Sequence, residues 1–110
     1  YVPVDGDGVH AACREWLEHP RVMRLATPTS AGGAETAQAY AAQGIAKRGS
    51  PAQVTGDFGP RAGAMRLDYV LPSTGFALQG SGVFWPLKAS ADAAIAQASD
   101  HHLVWVDLAW

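Results

Sequence analysis

Cysteine is almost absent from the 110-residue chain: Cys13 stands alone, so no intramolecular disulfide can form and a small stapled secreted module is excluded. An excess of positive charge is missing too. Eight Lys and Arg face ten Asp and Glu, a formal net charge of −2, which argues against a protein held to nucleic acid chiefly through its phosphates. No apolar run reaches the roughly 18 to 20 residues that cross a bilayer, so no membrane span is expected, and the opening stretch lacks the charged and apolar regions of a signal peptide. Glutamate is confined to Glu15, Glu18 and Glu35. What the chain does have is apolar content, 48% of its residues, enough to build a core, and a length that suits one small domain. It opens at Tyr1 in a turn-rich stretch, Tyr1-Val-Pro-Val-Asp-Gly-Asp-Gly, which reads as a loop already under way and raises the expectation of a part of a longer protein.

Val9, Ala12, Cys13, Trp16 and Leu17 share one face of a short amphipathic helix, with Asp7 as its N-cap and His19-Pro20 as its stop. Residues 24–64 are punctuated by Pro28, Gly32, Gly33, Gly44, Gly49, Pro51, Gly56, Gly59, Pro60 and Gly63 and are predicted to form a long irregular surface segment near a site. Within it, the alanine-rich stretch from Ala34 to Ala46 could hold a helix. Met65 to Leu71 is a strand closed by Pro72-Ser73, and Phe76 to Trp85 a second, in which Gly80 and Gly82 mark a bulge or a close backbone approach. Ser90 to Ala98 reads as a helix capped by Ser90. His102 to Trp110 is apolar on both faces, as in the centre of a layered α/β domain, so the core is expected mostly after residue 64.

Two polar features interrupt this pattern. Asp68 lies between Leu67 and Tyr69 in a stretch that otherwise favours burial, and a buried carboxylate needs hydrogen-bond or charge partners. Ser99-Asp-His-His102 sits at the mouth of the most apolar strand, where α/β proteins place chemistry. If the two strands are neighbours, Asp68 can accept from one nitrogen of His101, fixing its tautomer and leaving the other nitrogen as base or acid. Asp100 would then face a metal or a phosphate-bound water. The alternative pairs Asp68 with Arg66 and makes Asp100-His101 part of a plain helix-to-strand turn, as in a non-catalytic α/β interaction domain.

Arg66-Leu-Asp-Tyr-Val-Leu, followed some thirty residues later by Ser99-Asp-His-His-Leu-Val-Trp-Val, resembles the C-terminal motifs of the endonuclease/exonuclease/phosphatase superfamily. The likeness extends to Ser81-Gly-Val-Phe-Trp-Pro86 and to the opening Pro3-Val-Asp-Gly-Asp-Gly, which is similar to the stretch after the Gly-Asp-x-Asn motif in a bacterial branch of the family. The resemblance implies half of a four-layer α/β/β/α sandwich, a layered mixed β-sheet with flanking helices, and hydrolysis of phosphate mono- or diesters by in-line attack of water. It implies His101 at the scissile phosphate, Asp68 orienting it, Asp100 contributing to the metal or water site, and Ser99 as a supporting turn residue. Mg2+ or Mn2+ is the implied cofactor of the complete enzyme. The early metal-binding glutamate, the mid-chain histidine and Gly-Asp-x-Asn are not found. Residues 1–110 are therefore expected to be the C-terminal part of one such domain, catalytically incomplete and partnered by a missing N-terminal half. The mild negative charge favours a small or lipid-linked phosphate ester over nucleic acid, and the bacterial branch implies a secreted or periplasmic location.

Other candidate motifs fail on spacing. Asp5-x-Asp7-Gly8 begins like a calcium loop, but Trp16 stands where the twelfth-position acid should be. His10 and Cys13 lie a helical turn apart without a third residue to orient the histidine. The four histidines and one cysteine lack structural-zinc spacing.

Overall fold

The structure, a computed structural model, describes residues 11–45 and 49–110, and these form a mixed α/β fold of helices and two small antiparallel sheets. The Asp5–Gly8 turn, the Asp7 cap and His10 lie outside the described residues. The first helix, α1 (Ala11–Leu17), ends before His19-Pro20 as expected. Its apolar face is only partly covered, since Trp16 is 64% exposed.

The second helix, α2 (Ala31–Ala42), starts three residues earlier than the alanine pattern suggests. Ser30 explains the shift: its backbone is extended and its hydroxyl accepts from the Gly33 N–H at 2.9 Å, satisfying one of the free donors of the first turn. Gly32 makes that start possible. Its N–H donates to the Trp85 carbonyl at 2.8 Å, and a Cβ there would lie 2.3 Å from the carbonyl oxygens of both Trp85 and Pro86. The helix ends at Gln43-Gly44, where Gly44 takes a left-handed φ of 86°.

A 3₁₀ turn at Pro51–Gln53 leads into β1 (Gly56–Asp57), which pairs antiparallel with β2 (Ala64–Met65) around the short helix α3 (Gly59–Ala62). The long strand β3 (Ala77–Phe84) pairs antiparallel with β4 (Leu103–Ala109), with a register shift between Leu78 and Gly80 where the glycines announce a bulge. Gly82 lies beneath the Trp105 indole, and a Cβ there would come within 2.9 Å of it. The two sheets meet at one place. Gly56 bridges His101, the Asp57 N–H donates to the Asp100 carbonyl at 2.9 Å, and the His102 N–H donates to the Thr55 carbonyl at 2.8 Å.

Several expectations need correction. The strand over Met65 to Leu71 shrinks to its first residue, because the Leu67 and Asp68 N–H groups donate to the Thr55 hydroxyl at 2.9 and 3.1 Å. The helix over Ser90 to Ala98 shortens to α4 (Ala93–Ala96), with Asp92 in the cap position and the Ser90 hydroxyl accepting from the Asp92 N–H. Residues 24–64 are no mere surface excursion, since they contain α2 and deliver Val54 and Thr55, each 2% exposed, to the interior. The core therefore unites Val54 and Ala64 with Val83 and Trp85, and Ala37, Tyr40 and Val104 pack against it. Nor is β4 covered on both faces: Val104 packs inward while Leu103 and Trp105 are 67% and 42% exposed. An antiparallel pair can leave one face to solvent, unlike the covered central strand expected.

Candidate active site

The junction between the sheets brings Asp68 and His101 together across 33 residues of sequence. His101 Nδ1 lies 2.9 Å from Asp68 Oδ1 and 3.0 Å from Oδ2. Both oxygens of the carboxylate thus converge on one ring nitrogen, and Nε2 is the nitrogen left for other chemistry. About half of the His101 side chain is exposed, 51%, against 33% for Asp68. The Phe58 ring meets the imidazole edge to face at 5.2 Å, and the Ser99 hydroxyl accepts from the His101 N–H at 3.1 Å, so Ser99 is indeed a turn support. Arg66, the rival partner for Asp68, holds its guanidinium over the Tyr69 ring, 4.5 Å from the centroid.

Thr55 stands behind the carboxylate, its hydroxyl donating to Asp68 Oδ2 at 2.8 Å. A cavity of about 220 Å3 opens on the same side, bounded by Thr55, Asp68, Arg66 and apolar side chains such as Leu25, Val70 and Val83.

Asp100 and His102 belong to a different wall. They line a second cavity of about 270 Å3 together with Asp57, Trp85 and Lys88. Asp57 accepts from the Tyr40 hydroxyl and from the Gly59 N–H; the bond to Asp57, with burial adding to it, pushes the Tyr40 pKa up to about 12. His102 is 9% exposed and stacks on Trp85, and burial lowers its pKa despite nearby carboxylates. The expected grouping of Asp100 with the dyad around a metal is not observed: among the described residues no three or more His, Cys, Asp or Glu side chains could hold a metal ion. Nor does any described helix have the length and apolarity to cross a membrane.

Sequence reasoning missed Thr55, Tyr40 and Asp57. Thr55-Gly-Asp57 lies in a stretch rich in glycine and proline, where no apolar pattern marks a polar residue as out of place. The partner of Tyr40, 17 residues away across a helix and a turn, has no local signature.

The sequence profile of the Endonuclease/Exonuclease/phosphatase family matches residues 2–101. No curated protein and no solved structure gives a match. The family match corrects one expectation: it runs over almost the whole chain, so the reading of a C-terminal half partnered by a missing N-terminal half is not sustained. The chain belongs to the Endonuclease/Exonuclease/phosphatase family, a family of phosphoesterases.

Proposed function

We propose that the chain hydrolyses phosphate mono- or diesters, with His101 as the group that meets the scissile phosphate. The observation that carries this reading is the seating of both Asp68 oxygens on His101 Nδ1, which leaves Nε2 on a half-exposed ring. In the neutral ring Nε2 takes a proton from the attacking water; in the charged ring it donates to a phosphoryl oxygen or the leaving group. Asp68 holds the ring in place and stabilises its positive charge without itself being protonated, the logic of an orienting carboxylate.

Family members depend on a divalent metal, which polarises the phosphoryl oxygen. The described residues do not fit a resident ion, so the step given to His101 does not pass through one, and no step is assigned to Asp100. The finer architecture belongs to the same proposal. The two antiparallel sheets are taken as parts of the family's layered α/β/β/α sandwich, and a secreted or periplasmic bacterial location follows the branch that the sequence resembles.

The test is hydrolysis of bis-p-nitrophenyl phosphate in the presence of Mg2+ or Mn2+. Turnover is expected, and His101→Ala should lower the rate by at least about a hundredfold. Equal rates for the folded wild type and His101→Ala would overturn the role of His101. A folded chain with no turnover would favour a non-catalytic interaction domain, to which the exposed Leu103 and Trp105 on β4 lend support.

A further inference from the structure

The Thr55 side chain is the largest fully buried one among the described residues, at 2% exposure, and its hydroxyl has three neighbours with fixed roles. The Leu67 and Asp68 N–H groups, at 2.9 and 3.1 Å, can only donate. They occupy the two lone pairs of the oxygen. The single hydroxyl proton is thereby directed to the remaining neighbour, Asp68 Oδ2 at 2.8 Å. Asp68 Oδ2 already lies 3.0 Å from His101 Nδ1. The geometry makes one donor of Thr55, and an ionised carboxylate between it and the imidazole can only accept, so the proton of the neutral ring sits on Nδ1 and the lone pair on Nε2.

The backbone of the same residue fixes the other half of the pair. The Thr55 carbonyl accepts from the His102 N–H at 2.8 Å, and the next residue, Gly56, bridges His101. The Thr55 N–H donates to the Met65 carbonyl at 2.9 Å. One buried residue thus sets both the orientation of the carboxylate, through its side chain, and the placement of the segment that carries the imidazole, through its main chain.

We infer that Thr55 is a positioning residue: its hydroxyl fixes the Asp68 carboxylate in the orientation that turns both oxygens to Nδ1, and so holds His101 in the tautomer that presents an unprotonated Nε2. The consequence for rate rests on the phosphoesterase reading given above; the consequence for the tautomer does not. Selecting the tautomer matters because a ring protonated at Nε2 cannot take a proton from water there.

Thr55→Val keeps the shape of the side chain and removes its donor, and Thr55→Ser keeps the hydroxyl. Long-range proton–nitrogen spectra of the ¹⁵N-labelled wild type should show the neutral His101 ring protonated at Nδ1 and bare at Nε2. In Thr55→Val the two tautomers should mix, with kcat for bis-p-nitrophenyl phosphate falling about ten- to a hundredfold and KM little changed, and Thr55→Ser should restore both. Should Thr55→Val fail to fold, Thr55→Cys serves instead, its thiol being a weaker donor, and the Nδ1-protonated form should lose population relative to wild type. A wild type protonated at Nε2, or a folded Thr55→Val or Thr55→Cys whose His101 signals match wild type, would overturn the inference. Full activity in His101→Ala would remove the catalytic role of His101, on which the rate effect rests, while leaving the tautomer result standing.

Discussion

His102 lies face to face on Trp85, with ring centres 3.7 Å apart and planes 13° from parallel. Its Nδ1 is buried and has no hydrogen-bond partner. Burial pulls the His102 pKa below its ordinary value of 6.5, and this outweighs the opposing pull of Asp57, Asp68 and Asp100. In the unfolded chain the ring binds its proton more readily, so below about pH 6.5 the unfolded state takes up more protons and the fold loses stability. Above that pH the contribution is fully present. The melting temperature should therefore fall as pH drops from 7 towards 5, and His102→Phe, which can still stack on Trp85, should flatten that part of the curve. An unchanged slope in the variant would show that other groups cause it.

Asp68→Asn tests the dyad from the side of the carboxylate. The amide has nearly the same shape and can still take the Thr55 hydroxyl bond on its oxygen, so the fold should survive. Its NH2 group can instead face Nδ1 and favour the proton on Nε2, the wrong tautomer for a base. Hydrolysis of bis-p-nitrophenyl phosphate should drop at least about a hundredfold, with circular dichroism unchanged. Retention of more than half the wild-type rate would argue that Asp68 does not orient a working histidine.

The two halves of this site were unequally legible in the sequence. Asp68 and His101 stand out because each places a charged or titratable group where the surrounding pattern calls for apolar residues, and their pairing needed only the assumption of neighbouring segments. The mediator of that neighbourhood was not legible. Thr55 directly precedes β1, a two-residue strand, too short to show an alternating pattern. Glycine and proline around it suggested a loop, although Gly32 and Gly33 are buried because α2 approaches the Trp85 backbone closely at Gly32 and Val54 at Gly33. Leu103 to Leu108 misled in the opposite direction. A nearly all-apolar run implies burial on both faces, yet among the described residues β4 pairs with β3 alone and leaves Leu103 and Trp105 outside.

Gly32→Ala should be among the more damaging small substitutions. A methyl group would sit 2.3 Å from two backbone oxygens and 2.5 Å from the Trp85 ring, and neither carbonyl can move without breaking the contact between α2 and the strand end. Overpacking of this kind costs about 1–3 kcal/mol or more. The higher helix propensity of alanine returns only about 1 kcal/mol. Urea denaturation should show a lower midpoint with an unchanged slope; a variant as stable as wild type would mean that the helix and Trp85 are not held so closely.

The bond from Tyr40 on α2 to Asp57 on β1 ties the helix to the sheet junction, and it has an alkaline signature. Hydrogen bonding to Asp57, then burial, then the negative charge of Asp57 raise the phenol pKa from 10.0 to about 12. Because the folded value lies above the unfolded one, the neutral phenol stabilises the fold fully below about pH 10, and this contribution is lost as pH climbs through about 12. Phenolate absorbance should accordingly show a late-titrating tyrosine that is absent in Tyr40→Phe. That variant should also lose about 1.5–3 kcal/mol at neutral pH, the usual scale for a hydrogen bond to a charged group, since Asp57 would keep only its bond from Gly59 of the two described here. If the alkaline titration of Tyr40→Phe instead lacked only a phenol that ionises near pH 10, the Tyr40 hydroxyl would not be donating to a carboxylate, and α2 would be held by the Gly32 bond to the Trp85 carbonyl and by apolar packing on Val54 and Trp85.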